Sequence, residues 1–216
     1  MNRCCSVKGL VGASPKPQPS PHQHRPGVSD GNKVKLALIT ESLTKKAIYA
    51  LLHSMESTAF ICLGSNIGDR ELNLLRAVAE IGKLPGARIT ALSGFYDTEP
   101  VGSVPQDNFL NAVLRLATSL TPHRLLAELN RIETDVFHRK RNIPQGPRVM
   151  DLDILLFDDI VLQSEDLIIP HPRLHERRFV LVPLAELASG YRHPVLGKSI
   201  AELLRELPER ERVTRI

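Results

Sequence analysis

The chain has no tryptophan, and only three tyrosines and six phenylalanines stand among its 216 residues. So few rings argue against an RNA-binding sheet, which needs exposed aromatics on adjacent central strands; Phe109 is the one candidate of that kind. Cysteine is also scarce. Cys4, Cys5 and Cys62 form neither a zinc-like nor a redox spacing, and Cys62 lies inside an apolar run, which points to a reducing cytoplasm. No apolar run approaches the roughly 20 residues of a membrane-crossing helix, so no membrane partner is expected. No Ser/His/Asp or Cys/His constellation stands out, as suits chemistry without a covalent intermediate.

Acidic residues are few near the N-terminus. Residues 1–58 hold eight Lys/Arg against three Asp/Glu, whereas residues 59–216 hold twenty against twenty-one. The basic pI of about 9.1 therefore belongs mainly to the first 58 residues, and it argues little for nucleic acid as a partner of the remainder. Residues 1–32, with five prolines among Ser, Gln, His and Gly, have a composition that cannot bury a core and is expected to be disordered. His22 and His24 fall in this solvated stretch. No amphipathic helix supports a transit peptide. Residues 33–56 have the composition of a loose helix with no chemistry, and Met55 is an alternative start. The chain thus divides into an extension, 1–58, and a folded domain, 59–216.

Within that domain, Ala59–Leu63 reads as a buried strand, and Asp69 as the N-cap of a helix whose Leu72, Leu75 and Ala79 mark the buried face. Gly64 and Gly68 lack the Gly-Lys-Ser/Thr ending of a phosphate-cradling loop and read as a tight turn. Residues 87–96 form a second strand, 97–102 a Pro/Gly loop, and Phe109–Leu116 a third strand. Thr121-Pro122 opens a second helix with Leu125, Leu126, Leu129 and Ile132 inward. A basic loop, 137–146, reads as a connector or as a lid on polyphosphate. It leads into the strand 149–157. Ile160–Leu162 and Leu167–Ile169 are short extended pieces, and Phe179–Ala188 and Ser199–Leu207 are closing helices. This order gives an α+β fold with a ferredoxin-like βαββαβ core: a largely antiparallel sheet with helices packed on it, plus C-terminal helices.

The strand 149–157 carries the chemistry. Asp151 and Asp153 are two apart, so they share a strand face at roughly 7 Å, while residues 150, 152 and 154 turn into the core. Two carboxylates on one face repel and resist burial. A divalent cation between them relieves that, and Mg²⁺ takes hard oxygens from both carboxylate and phosphate. With Arg148 at the strand mouth and Arg139, Lys140 and Arg141 upstream, the group reads as a metal-polyphosphate site. The same pair also fits a solvated strand end or salt-bridge partners of the arginines. His171 and His175 have the spacing of a helical zinc pair, but Pro172 argues against a helix there; with arginines beside it, His171 is better read as a phosphate contact.

Gly64-Ser65-Asn66, Phe95-Tyr96-x-Thr98-x-Pro100-Val101-Gly102, Phe109-Leu110-Asn111, Gly146-Pro147-Arg148-x-x-Asp151-Leu152-Asp153 and Pro170-His171-Pro172-Arg173-Leu174 occur in that order. Together they resemble the 6-hydroxymethyl-7,8-dihydropterin pyrophosphokinases of folate biosynthesis, over about residues 59–207. The resemblance implies pyrophosphate transfer from ATP to the hydroxymethyl group of a reduced pterin, giving AMP. It implies two Mg²⁺ ions at Asp151 and Asp153, with ATP as co-substrate. Thr98, Val101, Phe109, Asn111 and Phe179 would then hold the pterin, the two phenylalanines by stacking. Glu133, Ile154, His171 and Arg177 would meet the nucleotide. Arg148 would clamp phosphates, and Arg139 or Arg141 would be the mobile catalytic arginine. Gln145 stands where some members carry an aromatic. A monomer acting on small molecules is expected. An RNA-binding module and a different Mg²⁺-dependent nucleotidyl or glycosyl transferase are the alternatives; neither explains the Phe109/Phe179 pair together with the loop at 97–102.

Overall fold

The computed structural model describes residues 56–101, 104–138 and 146–216. Strand β1 (Ser57–Ser65) runs into helix α1 (Arg70–Ile81), then β2 (Ala87–Leu92), β3 (Tyr96–Thr98) and β4 (Phe109–Thr118). Helix α2 (Pro122–Arg131) continues as a π-helical turn, Ile132–Val136, and β5 (Asp151–Phe157) follows. A small hairpin, β6 (Leu162–Gln163) with β7 (Ile168–Ile169), precedes helices α3 (Arg178–Ala188) and α4 (Ile200–Glu206) and the last strand, β8 (Val213–Arg215). The main sheet runs β5-β1-β4-β3-β8, with β2 also paired to β4, and every pairing is antiparallel. The anticipated βαββαβ core is present, with its second strand broken at Ser93–Phe95 into β2 and β3.

Local chemistry starts the helices where the sequence signals them. The Asp69 carboxylate accepts from Leu72 N at 3.0 Å, and Thr121 Oγ1 accepts from Arg124 N with Pro122 in the first turn; both satisfy donors a helix start otherwise leaves orphaned. The phase of α1 differs from expectation. Leu72 and Leu75 are about half exposed and Ala79 is exposed, while Asn73, Leu74, Ala77 and Ile81 are buried. The strand-to-helix turn sets this phase: the Asn73 side chain donates to Ser65 Oγ at 3.1 Å and Ile67 O at 2.9 Å, which pins that flank of α1 inward. Positions 74, 77, 78 and 81 then form the 3.6-period stripe.

Two hydrophobic cores flank the sheet. One joins Leu74, Ala77 and Ile81 of α1 and Leu125 and Leu129 of α2 to Ile61, Leu63, Leu114, Leu152 and Ile154. The other joins Val180, Leu181 and Leu184 of α3 and Ile200 and Leu203 of α4 to Phe60, Cys62, Val113, Leu155 and Leu156. The sheet therefore carries helices on both faces. The β1–β5 pairing has a register shift between Phe60 and Ile61. Leu155 and Leu156 both join the second core while Ile154 and Phe157 join the first, the signature of a β-bulge, in which one extra residue reorients the chain after it. Among the described residues, no helix is long and apolar enough to cross a membrane.

Candidate active site

The sheet register builds one row of functional positions. Asp151 pairs with Gly64, Gly64 with Asn111, and Asn111 with Tyr96, while Phe109 pairs with Thr98 one step along. Directly paired residues share a face, so Asp151, Asn111, Phe109 and Thr98 all look toward α3. Gly64 keeps the row open: a Cβ there would lie 2.9 Å from Asn111 Oδ1. Between this row and the start of α3 lies a pocket of about 300 Å³. Thr98, Val101, Phe109, Asn111, Arg148, Asp151, Asp153, His171, Arg177 and Phe179, ten of the residues singled out from the sequence, line it together.

The remaining four divide into two groups. Glu133 and Ile154 do not line the pocket. Glu133 is buried, and its carboxylate accepts from Leu152 N at 2.7 Å, tying the π-helical turn to β5. The Ile154 side chain belongs to the core on the opposite face. Arg139 and Arg141 lie outside the described residues, as do Gln145 and the extension through residue 55.

Charge is layered along the pocket. Arg148 Nη1 meets Asp151 Oδ2 at 2.5 Å. Burial, then the neighbouring Asp151 and Glu133 carboxylates, push the Asp153 carboxyl up to about 7, against the pull of Arg177 and Arg148. Burial also raises the Cys62 thiol beside them, with Asp153 and Asp151 adding to it, so it is neutral rather than a thiolate nucleophile. Also in the pocket, burial and then the Arg177 charge lower His171 to about 4. Its Nδ1 lies 3.2 Å from the N–H of Arg173 and accepts from it. His171 is thus a neutral imidazole with Nε2 carrying its proton. Burial and then Arg173 likewise press on Arg177. Paired acids and crowded arginines in one pocket suit a cation and a polyanion bound side by side.

Each aromatic wall already holds a cation. The Arg148 guanidinium lies 5.8 Å from the centre of the Phe109 ring, and that of Arg177 lies 5.5 Å from Phe179, within cation–π range. The Asn111 side-chain amide donates to Thr98 Oγ1 at 2.7 Å, and both line the pocket with the two rings. Asn66, quoted above only as part of a motif, is the hub. Its Oδ1 accepts from Arg148 N at 2.7 Å, its own N–H donates to Arg148 O at 3.1 Å, and its Nδ2 donates to Gln106 Oε1 and Asp107 O. Arg173 also lines the pocket without having been assigned a role; its place in the Pro-His-Pro-Arg-Leu motif, four residues before Arg177, was the available signal.

A ferredoxin-like sheet carrying paired carboxylates, several arginines and an aromatic-walled pocket defines a phosphoryl-type transferase that acts on a flat heterocycle. Residues 60–189 match the family described as 7,8-dihydro-6-hydroxymethylpterin-pyrophosphokinase (HPPK), and the chain belongs to it. It is 47% identical over 133 residues to the 2-amino-4-hydroxy-6-hydroxymethyldihydropteridine pyrophosphokinase of Bacillus subtilis, a match covering 62% of this chain and 79% of that one. It is 42% identical to the enzyme of the same description from Methylorubrum extorquens, covering 69% and 92%. Against the bifunctional protein FolKE of Lactococcus lactis it is also 42% identical, but spans only 42% of that longer chain. The crystal structure of Plasmodium falciparum HPPK-DHPS with pterin and p-hydroxybenzoate superposes with a TM-score of 0.56 at 17% identity, covering 70% of this chain and 43% of that one; that likeness concerns the fold.

Proposed function

We infer that the chain transfers the pyrophosphoryl group of ATP to the hydroxymethyl group of 6-hydroxymethyl-7,8-dihydropterin, giving AMP and the pterin diphosphate. One observation carries this reading beyond family membership: the Asp151/Asp153 pair opens into the same pocket as the Phe109, Phe179 and Asn111 walls. A heterocycle between the rings would set its substituent beside the place where the carboxylates and arginines receive phosphates.

In the transfer, the hydroxymethyl oxygen forms a bond to the β-phosphorus, the bond between that phosphorus and the oxygen bridging to the α-phosphorus breaks so that AMP leaves with that oxygen, and the hydroxyl proton passes to water. Such transfers need positioning and charge neutralisation rather than covalent help from the protein. The rings fix the heterocycle, the Asn111 amide and the Thr98 hydroxyl read its polar edge, and Arg148 and Arg177 are set to leave the rings for phosphate oxygens once the pterin takes the stacking position. Asp151 and Asp153 are hard oxygen donors held on one strand, and burial beside Asp151 and Glu133 keeps the Asp153 carboxyl raised even with Arg148 on Asp151. Both fit Mg²⁺ that completes its coordination with phosphate and water. Bound there, the cation would neutralise phosphate charge.

The reading assigns catalysis to residues 59–216 and nucleotide contacts to His171 and Arg177, with Glu133 acting through the β5 backbone it holds. A free, buried Cys62 supports a reducing compartment. The direct test is AMP release from ATP with and without reduced hydroxymethylpterin: release dependent on the pterin is expected, and pterin-independent hydrolysis would refute the reading.

A further inference from the structure

The C-terminal residues touch both walls of the pterin pocket. Strand β8 pairs with β3 in the register Val213–Thr98, Thr214–Asp97 and Arg215–Tyr96, and Ile216 N donates to Phe95 O at 3.0 Å. Just before it, Arg212 reaches Glu99 at 3.6 Å and Asp97 at 3.9 Å. These contacts hold the Thr98 wall. Slightly earlier in the tail, the other wall is held. A carboxylate oxygen of Glu211 accepts from the backbone N–H of Arg178 at 3.1 Å, and the Arg178 guanidinium meets Glu209 at 3.4 Å.

That backbone bond matters because α3 begins without a cap of its own. Its N-cap residue, Arg177, makes no side-chain capping bond. Uncapped first-turn donors leave a helix start free to fray. Glu211 supplies the missing acceptor from 33 residues away, and its charge also suits the positive end of the helix dipole. The turn it caps carries Arg177 and Phe179. The far end of α3 is anchored separately. Glu186 there accepts from Tyr96 Oη at 2.9 Å and Gly94 N at 3.0 Å, and pairs with Arg215 at 3.4 Å. Glu186 anchors that far end and Val180, Leu181 and Leu184 pack the helix body onto the sheet, which leaves the Glu211 bond to fix the first turn that bears Phe179.

We propose that residues 209–213 form a strap that sets the gap between the Phe179 and Thr98 walls, making Glu211 and Arg212 positioning residues for the flat heterocyclic substrate. The identity of that substrate rests on the function inferred above. The strap's ion pairs are exposed, and such pairs add little to stability, so its effect falls on geometry. A flat ring held between two walls has no slack, whereas Arg177 reaches its phosphate through a long flexible side chain. Loss of the strap should therefore weaken pterin binding more than ATP binding.

The test uses the full chain with Glu211→Ala, Glu211→Gln and Arg212→Ala. Glu211→Ala should raise the KM and the equilibrium Kd for reduced hydroxymethylpterin about five- to tenfold, the scale of one lost cap or charge-assisted bond. The KM for ATP and kcat should stay within about twofold on the same scale. Glu211→Gln keeps an acceptor oxygen and should restore most of the loss, and Arg212→Ala should give a smaller shift of the same kind. Hydrogen exchange at the amides of 178–180 reads the strap without any ligand: faster exchange in Glu211→Ala is expected, and near-normal exchange in Glu211→Gln. Unchanged exchange, or an equal rise in both KM values, overturns the strap. A wild-type chain that binds no reduced pterin, with exchange still accelerated in Glu211→Ala, would instead overturn the assigned substrate and leave the strap standing.

Discussion

Strand β5 presents two chemistries from seven residues, and the two faces of the sheet differ accordingly. On the face toward α1 and α2, Leu152 and Ile154 sit in a continuous apolar core with Leu63 and Leu74. On the face toward α3, Asp151 and Asp153 border a pocket, and the apolar packing resumes only at Leu155 and Leu156. The first face supplies stability through close packing. The second forgoes it around Asp151 and Asp153, two carboxylates on one face of which Arg148 meets the first. The pocket is therefore an interruption of the core, and the apolar residues Ile154–Phe157 confine it to one end of the strand.

Leu152→Ala breaks the comparison from the packed side. It removes a buried side chain and should lower stability by about 2–5 kcal/mol, a large share of a typical domain's total. Turnover per folded molecule should barely change. Denaturant unfolding with an active-site titration separates the two; a selective loss of turnover at full stability would show that the faces are not independent.

From the pocket side, Asp153→Asn and Asp151→Asn should do the reverse. Turnover should drop by roughly 10²–10³-fold, the scale of losing one preorganised electrostatic group, while the fold survives. Were the pair only a salt-bridge partner for Arg148, stability would fall and Mg²⁺ dependence would persist. Melting, turnover and a Mg²⁺ titration on one Asp153→Asn preparation decide between these. A smaller effect belongs to the walls. Phe109→Ala and Phe179→Ala should each weaken pterin binding by about 1–3 kcal/mol, as for aromatic–base stacking, with ATP affinity little altered. Calorimetry showing mainly a loss of stability would assign the rings to the core.

The sequence carried the local half of this arrangement. Alternation along β5 separated Leu152 from Asp151, and Asp69 and Thr121 marked helix starts, because strand period and caps are short-range physics. It did not carry the phase of α1. Leu72 and Leu75 formed an apolar stripe as plausible as the true one, and the choice depended on Asn73 reaching back to Ser65 and Ile67. Nor did it carry Asn66 bound to Arg148, Glu133 bound to Leu152 N, or Glu211 capping α3. These bonds join residues 19 to 82 positions apart and leave no periodic trace. The bulge escaped for a similar reason: Ile154–Phe157 is apolar throughout, so nothing local says which residue is the extra one.

A further test sharpens the comparison through pH, in protein freed of Mg²⁺ by chelation. The Asp153 carboxyl has a folded value of about 7 against 3.8 for an unburied one. Between those values the folded chain keeps a proton that the unfolded chain has lost, so this group's contribution to stability declines as pH rises from about 4 to 7 and stays lost above. His171 works the opposite way: it is lowered to about 4 from 6.5, so protonation of the unfolded chain erodes stability as pH falls through that window. Wild type alone mixes the two slopes. The difference between Asp153→Asn and wild type cancels His171 and isolates the acid. The substitution should raise the melting temperature at pH 8, by about 2–4 °C for each kcal/mol of burial and repulsion cost removed, and the gain should vanish near pH 4. A gain constant with pH would mean that the amide packs better than the carboxyl for reasons unrelated to charge, and the pocket face would then differ from the core face in shape rather than in electrostatics.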